Sequence, residues 1–321
     1  MAFQAVQDGL GSPSYKGELV AKLIVGCGYL GGRVARLWQE AGEQVWVLTR
    51  SADKALLLGR EGYSTVVADI NSIRDLQPSL FPAQGLSTVL FSVGYDRQSP
   101  QPIQQVYAGG LAKLLGSPIF NSATGQTCRW IYISSTGVYG TAAGDFVDEE
   151  TPPQPAREGG KASLAAEQVL RAHPNGSRGI ILRLAGIYGP GRIPRSADLL
   201  AGRPIDAPAE GWLNLIHVDD AARIVLLAAE QAAVPNLYCV SDNSPVQRGD
   251  YYRELARLLS AAEPRFVPPD PDSPASLRAG SDKRVRPAKL FRDLAPQLLY
   301  PSYREGLAAI IAGQSGISPP P

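Results

Sequence analysis

Histidine, cysteine and methionine are scarce in this 321-residue chain, at two, three and one. Two His and three scattered Cys (Cys27, Cys128, Cys239) supply neither a zinc cluster nor a disulfide framework, so no metal is expected. A Ser-His-Asp arrangement would have to use His173 or His217. Three unpatterned Cys suit a reducing cytoplasm, which is the expected location. An excess of either charge is also missing: 31 Lys plus Arg stand against 30 Asp plus Glu, a formal net charge of +1. Such a balance gives no general attraction to nucleic acid or to an anionic membrane surface. No apolar run approaches the roughly 20 residues that span a bilayer. The stretch from Met1 to Lys22 lacks the long apolar segment of a signal peptide. No repeat recurs with a period of about 20–50 residues.

What is plentiful is glycine, with 33, and proline, with 27, in a chain that is 44% hydrophobic. The length allows one large domain or two smaller ones, with ample core. Short β-branched and apolar runs alternate with helical spacing. Strands are expected at Ala21–Val25, Gln44–Thr49, Ser64–Ala68, Thr88–Val93, Trp130–Ser134 and Gly179–Leu184. Helices are expected at Arg33–Glu40 (closed by Gly42), Asp53–Arg60, Gln104–Leu115 and Leu164–Ala172. This alternation indicates parallel βαβ units with right-handed crossovers. The expected fold class is α/β, a Rossmann-type doubly wound parallel sheet with a smaller, discontinuous C-terminal substrate region. Beyond Gly189 the pattern loosens. It leaves strands at Asn214–Val218 and Asn236–Val240, and a helix from Asp219 or Asp220 to Ala229 with an Asp cap. Further helices are expected at Arg248–Leu259 and Ser302–Ala312, with a Pro-rich loop over 264–275. The division that results is a disordered tail at 1–20, a dinucleotide-binding domain at 21–185 to which 213–240 return, a small substrate-side region at 186–212 and 241–312, and a second tail at 313–321.

Gly26-Cys27-Gly28-Tyr29-Leu30-Gly31 is a GxGxxG between a strand and an amphipathic helix, the context that gives the pattern meaning. Gly26 permits the tight turn, Gly28 lets backbone approach a pyrophosphate, and Gly31 lets helix and strand pack closely. The helix start, with Tyr29 and Leu30, offers free N–H groups to the anion. The second strand ends Thr49-Arg50-Ser51. A site for NAD usually has an acidic residue there. Arg50 can instead pair with a 2′-phosphate, with Ser51 beside it, which favours NADP over NAD. Asp69, ending the third strand, could meet the adenine amino group or simply cap a turn. Gly94, after the fourth strand, could lie beside the cofactor ribose, because ligands sit outside the carboxyl ends of strands.

Four further segments carry a family resemblance. They are Ser134-Ser135-Thr136-Gly137-Val138-Tyr139-Gly140, Asp148-Glu149-Glu150-Thr151-Pro152, Leu182 to Arg192 ending Gly189-Pro190-Gly191-Arg192, and Asn214-Leu215-Ile216-His217-Val218-Asp219-Asp220-Ala221-Ala222. Together with the glycine loop they resemble the extended short-chain dehydrogenase/reductase superfamily, the NAD-dependent epimerase/dehydratase group. The resemblance covers residues about 22–260. It implies a nicotinamide cofactor and a reaction in which Ser135 holds the substrate oxygen. The superfamily also uses a Tyr to move the proton and a Lys four residues later to lower the Tyr pKa, an i,i+4 pair on one helix face. No Tyr occurs here between Tyr139 and Tyr188. If Lys161 is the Lys, the Tyr position holds Arg157. If the register is fixed on Glu167, the two positions hold Gly159 and Ser163. The chain is therefore similar to atypical members of the group that lack the pair. The usual Asn of the sixth-strand motif is also replaced, by Gly186, which loosens any link to nucleotide sugars.

The candidate catalytic residues are Ser135 and Lys161. Thr136, Tyr188 and Arg192 are the candidate substrate contacts, Arg192 for a substrate anion. Each has a plainer alternative: Ser135 a strand-end hydrogen bond, Lys161 and Arg192 a solvated surface. Tyr139 could be recruited as an acid, although the tyrosine of this motif usually packs. His217 resembles a structural position, and His173 a loop residue. Two functions remain open. One is an NADP-dependent oxidoreductase or epimerase acting on a small polar substrate, nucleotide-sugar-like compounds being one option. The other is a non-catalytic NADP-binding sensor or scaffold. The expected partners are small molecules only, and a homodimer is left open.

Overall fold

The computed structural model describes residues 20–73, 76–81, 85–121, 127–140, 142–270 and 282–314. The tails expected at 1–20 and 313–321 fall almost wholly outside these residues, as does the second half of the Pro-rich loop. Seven strands form one sheet in which every neighbouring pair is parallel. They are β1 (Ala21–Val25), β2 (Gln44–Thr49), β3 (Ser64–Val67), β4 (Leu86–Phe91), β5 (Arg129–Ser135), β6 (Gly179–Leu184) and β7 (Asn236–Val240). Their spatial order is β7-β6-β5-β4-β1-β2-β3. The order reverses between β1 and β4, which opens a crevice at their carboxyl ends. Strands covered on both faces read as continuous apolar runs, and every residue of β1 and of β6 is buried.

Helices α1 (Gly31–Glu40), α2 (Ala52–Arg60), α3 (Gly110–Leu115), α4 (Glu158–Ala172) and α5 (Val218–Gln231) cover the sheet. α1 buries Gly31, Val34, Ala35 and Trp38, spaced to lie on one face. That face joins α5 in a core with Ile24, Ile131 and Val225. The opposite face of the sheet packs Leu111, Leu114, Trp130 and Leu170. Helices α6 (Arg248–Leu258), α7 (Ala288–Leu294) and α8 (Tyr303–Gln314) follow. α6 and α8 build a separate core with Tyr188, Leu255 and Leu307. α7 instead adds Leu290 and Leu294 to the sheet's core, so part of the segment 241–312 belongs with the main body. Among the described residues, no helix is long and apolar enough to cross a membrane.

Several local readings change. The helix expected over 104–115 opens with a π turn at Gln105–Gly109 before α3. The strand expected at 214–218 is Leu215–His217, and it pairs with Gly186–Tyr188 outside the main sheet. Within the loop expected at 264–275, Phe266–Val267 pairs with Ile205–Asp206. The cap of α5 is His217, whose Nδ1 accepts the Asp219 N–H at 3.2 Å. Asp220 is buried and accepts the N–H groups of Leu299 (2.7 Å) and Tyr300 (3.0 Å), which ties α5 to the C-terminal segment.

Candidate active site

The crevice between β1 and β4 opens into two cavities of about 430 and 680 Å³. Both are lined by Gly28, Val93 and Gly94, so they form one groove. The glycine loop shapes its floor. Gly26 has φ +93°, and a Cβ there would lie 2.7 Å from the Ser92 carbonyl oxygen. A Cβ on Gly31 would collide with the Gly26 carbonyl, and Ser92 Oγ already donates to that oxygen at 2.8 Å. A Cβ on Gly28, by contrast, would meet no protein atom within 4 Å and would project into the groove. No side chain caps α1, and no acid sits in its first turn. Its positive dipole end therefore faces an anion's position. These features fit a dinucleotide pyrophosphate.

The first cavity lies at the carboxyl ends of β2 and β3. Arg50, Ser51, Asp69 and Gly94 line it, as does Lys54 from α2. Ser51 Oγ caps α2 by accepting the Lys54 N–H at 3.2 Å. Lys54 Nζ donates to the Cys27 carbonyl at 2.5 Å, which holds a second cation beside Arg50. Arg50 pairs with Asp96 at 2.8 Å, both of them exposed. The Gln98 N–H and then Arg50 hold the Asp96 carboxyl below its ordinary range. Asp69 Oδ1 accepts the Asn71 N–H at 2.8 Å, a turn that leaves Asp69 on the cavity wall.

The second cavity holds Tyr29, Leu30, Ser135, Thr136 and Arg192. Tyr29 donates to the Pro190 carbonyl at 3.1 Å, and the Arg192 guanidinium lies 5.4 Å from its ring centre. Ser135 Oγ accepts the Gly137 N–H at 3.0 Å, so strand-end capping and a place on the wall coexist in one hydroxyl. Two expected residues lie elsewhere. Lys161 is half exposed and pairs with Glu158 at 2.8 Å; it is not on the cavity wall. Tyr188 is fully buried in the C-terminal core, its hydroxyl 3.3 Å from the Ser302 carbonyl it donates to. Ser163, four residues before Glu167, does line the cavity. Arg157 lines it too, so each register places one of its two residues on the wall, Ser163 in one and Arg157 in the other. Sequence reading also missed Tyr107, Trp212 and Lys283 on this wall. Tyr107 lies on the unforeseen π turn, Trp212 on a two-residue strand and Lys283 in a loop, segments with no periodic signal.

Other titratable groups are occupied structurally. Tyr139 donates to the Asp148 carbonyl at 2.5 Å and receives Arg183 Nη1 at 2.7 Å. Burial pushes its phenol well up, with the nearby Cys239 adding to the effect. His173 accepts the Asn175 N–H at 3.2 Å in a 3₁₀ turn. His217 is packed between Tyr188 and Tyr300. Burial lowers its pKa from the ordinary 6.5 to about 4, against the opposing pull of Asp219. An unfolded His takes up a proton below about 6.5, whereas the folded one resists until about 4. Stability is therefore expected to fall by about 3 kcal/mol as pH drops through that window. His217→Asn keeps a capping acceptor and should remove this slope in thermal unfolding measured against pH. Asp242, raised to about 7 by burial, works in the opposite direction in both proteins, so the difference between them is the readout.

A family model for the NAD dependent epimerase/dehydratase family matches residues 23–240. The chain is 28% identical to Protein YeeZ of Escherichia coli strain K12 over 289 residues, covering 87% of this chain and 95% of YeeZ. A solved structure from Methylobacillus flagellatus, assigned as an NAD-dependent epimerase/dehydratase, is 30% identical with a TM-score of 0.70. It covers 93% of this chain and 100% of its own. A conserved protein of unknown function from Silicibacter pomeroyi is 26% identical with a TM-score of 0.68, over 92% of this chain and 99% of its own.

Proposed function

Since the chain belongs to the NAD-dependent epimerase/dehydratase family, we propose that it is an NADP-dependent oxidoreductase or epimerase acting on a small polar substrate. The observation that carries the cofactor choice is the end of β2. Arg50, Ser51 and Lys54 line the adenosine cavity where an acidic residue would otherwise hold a ribose diol. A bound nicotinamide would supply hydride transfer to or from a substrate carbon. The chain's own contribution begins with Ser135, whose hydroxyl lies on the wall of the second cavity and can hold the reacting oxygen. Leu184 and Ile187 give that cavity an apolar flank that limits water. Arg192, over the Tyr29 ring, offers a fork to a polar or anionic group.

Arg50→Ala tests the cofactor assignment. The NADPH/NADH affinity ratio is expected to fall by about 10- to 100-fold, the worth of a charge-assisted bidentate contact. An unchanged ratio, measured by fluorescence titration, removes Arg50 from the phosphate site. The second reading, a non-catalytic NADP-binding protein, is favoured by one observation. The α4 residue that faces the groove is Ser163, and no tyrosine comes from that helix. NADPH binding without turnover on any carbonyl compound or nucleotide sugar would decide for it.

A further inference from the structure

Arg50 and Asp96 stand on opposite banks of the groove. Arg50 follows Thr49, the last residue of β2, and Asp96 lies in the loop that leaves β4 at Phe91. β1 runs between those two strands. Their carboxyl ends are thus two strand spacings apart, about 10 Å. The two side chains close that gap, with Arg50 Nη2 donating to Asp96 Oδ2 at 2.8 Å. Both line the first cavity together with Gly26, Cys27 and Gly28, so the ion pair forms a strap across the carboxyl end of β1. The Asp96 end is anchored. Its Oδ1 accepts the Gln98 N–H at 3.0 Å, and its carbonyl accepts the Ser99 N–H at 2.9 Å. Farther along the loop, the Tyr95 hydroxyl donates to the Gln101 carbonyl at 3.1 Å. The carboxylate therefore keeps its place when the guanidinium leaves. The Arg50 side chain, 58% exposed on a long stem, is the end that can swing. The other charged groups of this wall have neutral partners. Lys54 Nζ holds the Cys27 carbonyl at 2.5 Å, and Asp69 Oδ1 holds the Asn71 N–H at 2.8 Å.

A phosphate that reaches Arg50 has to take it from Asp96, and it replaces the lost pair with a bidentate one of higher charge. A ribose diol brings no charge that can replace the carboxylate. We propose that Asp96 is a specificity-determining residue: it holds Arg50 across the groove until a 2′-phosphate takes its place, an exchange that NADP makes and NAD does not. Breaking the pair lowers NADP affinity. Because both partners are exposed, that cost is small, about 2- to 5-fold in affinity. This deepens the cofactor reading given above and rests on it.

The test titrates the full chain with NADPH and with NADH by fluorescence, in the wild type, Asp96→Asn, Arg50→Ala and the double variant. Asn at position 96 keeps an acceptor for the Gln98 N–H and removes the charge. Asp96→Asn is expected to bind NADPH about 2- to 5-fold more tightly than the wild type, and NADH within about twofold of it. In the Arg50→Ala background the same substitution should leave both affinities unchanged, because the carboxylate then has no guanidinium to hold. A tightening of NADPH that persists without Arg50 assigns Asp96 to plain repulsion of the cofactor and overturns the strap. Unchanged or weaker NADPH binding in Asp96→Asn overturns it too, as does an equal tightening of NADH. The Arg50→Ala single variant separates the two readings. A lowered NADPH/NADH affinity ratio there, beside an unaltered Asp96→Asn, removes the strap alone. An unchanged ratio in Arg50→Ala removes the cofactor reading as well.

Discussion

Gly28→Val is expected to leave the melting temperature close to that of the wild type and to weaken NADPH binding by about 100-fold or more. Nothing in the protein opposes the new side chain. A Cβ at Gly28 meets no atom within 4 Å, and its backbone is not left-handed. The space it enters is the shared wall of the two cavities, where a pyrophosphate would lie against the first turn of α1. A branched side chain there holds the anion away from the helix N–H groups, so the charge-assisted bonds lengthen or are lost. Gly31→Ala is the matched control. Its Cβ collides with the Gly26 carbonyl and comes within 2.9 Å of Ser92 Oγ, two atoms already bonded to each other. That variant should lose about 1–3 kcal/mol of stability, the usual cost of overpacking. Fluorescence titration and thermal unfolding of both proteins read the two effects separately. Wild-type NADPH affinity in Gly28→Val would show that the glycine cradle does not hold the cofactor.

The glycine loop was legible in the sequence because its chemistry lies in the backbone. Three glycines between a strand and a helix state where a side chain is not tolerated, and no distant residue is needed to interpret them. The parallel sheet was legible for a similar reason: each strand is a short apolar run, and each crossover helix has its own period. The substrate wall was not. Lys283 reaches it only because the chain returns after the segment 271–281, and Asp282 and Asn214 anchor it through contacts about 70 residues apart in sequence. No local pattern encodes such a return. Tyr188 shows the opposite error. It sits in a segment that runs along the groove, yet Gly306 of α8 packs against its ring, and that helix withdraws it into the core. His217 is structural, but it supplies the helix cap that the sequence points to in the neighbouring aspartates. A His as N-cap is uncommon, and Asp is the residue that capping preferences favour.

Arg183→Leu is expected to cost about 3–5 kcal/mol of folding stability, the usual penalty for stranding one member of a buried ion pair. Arg183 and Glu167 are 2% and 1% exposed. Their contact is bidentate: Nε donates to Oε1 at 2.9 Å and Nη2 to Oε2 at 2.6 Å. Ser134 Oγ also donates to Oε1 at 2.6 Å, while Arg183 Nη1 reaches the Tyr139 hydroxyl. One network therefore links β5, α4 and β6 directly beneath the Ser134–Tyr139 turn. Removing Arg183 leaves a core carboxylate with the Ser134 hydroxyl and, 4.0 Å away, the solvent-exposed guanidinium of Arg171, and these two do not offset its desolvation. Arg183→Leu combined with Glu167→Leu should recover most of the loss, because neither charge then remains buried. Denaturant unfolding of the two single variants and the double variant measures the coupling. Additive losses would mean that the pair is not coupled. The network also bears on function. Ser134 precedes Ser135, so a turn released from Glu167 no longer holds the Ser135 hydroxyl on the cavity wall. If Ser135 positions the reacting oxygen, the double variant should fold, bind NADPH and still turn over more slowly than the wild type.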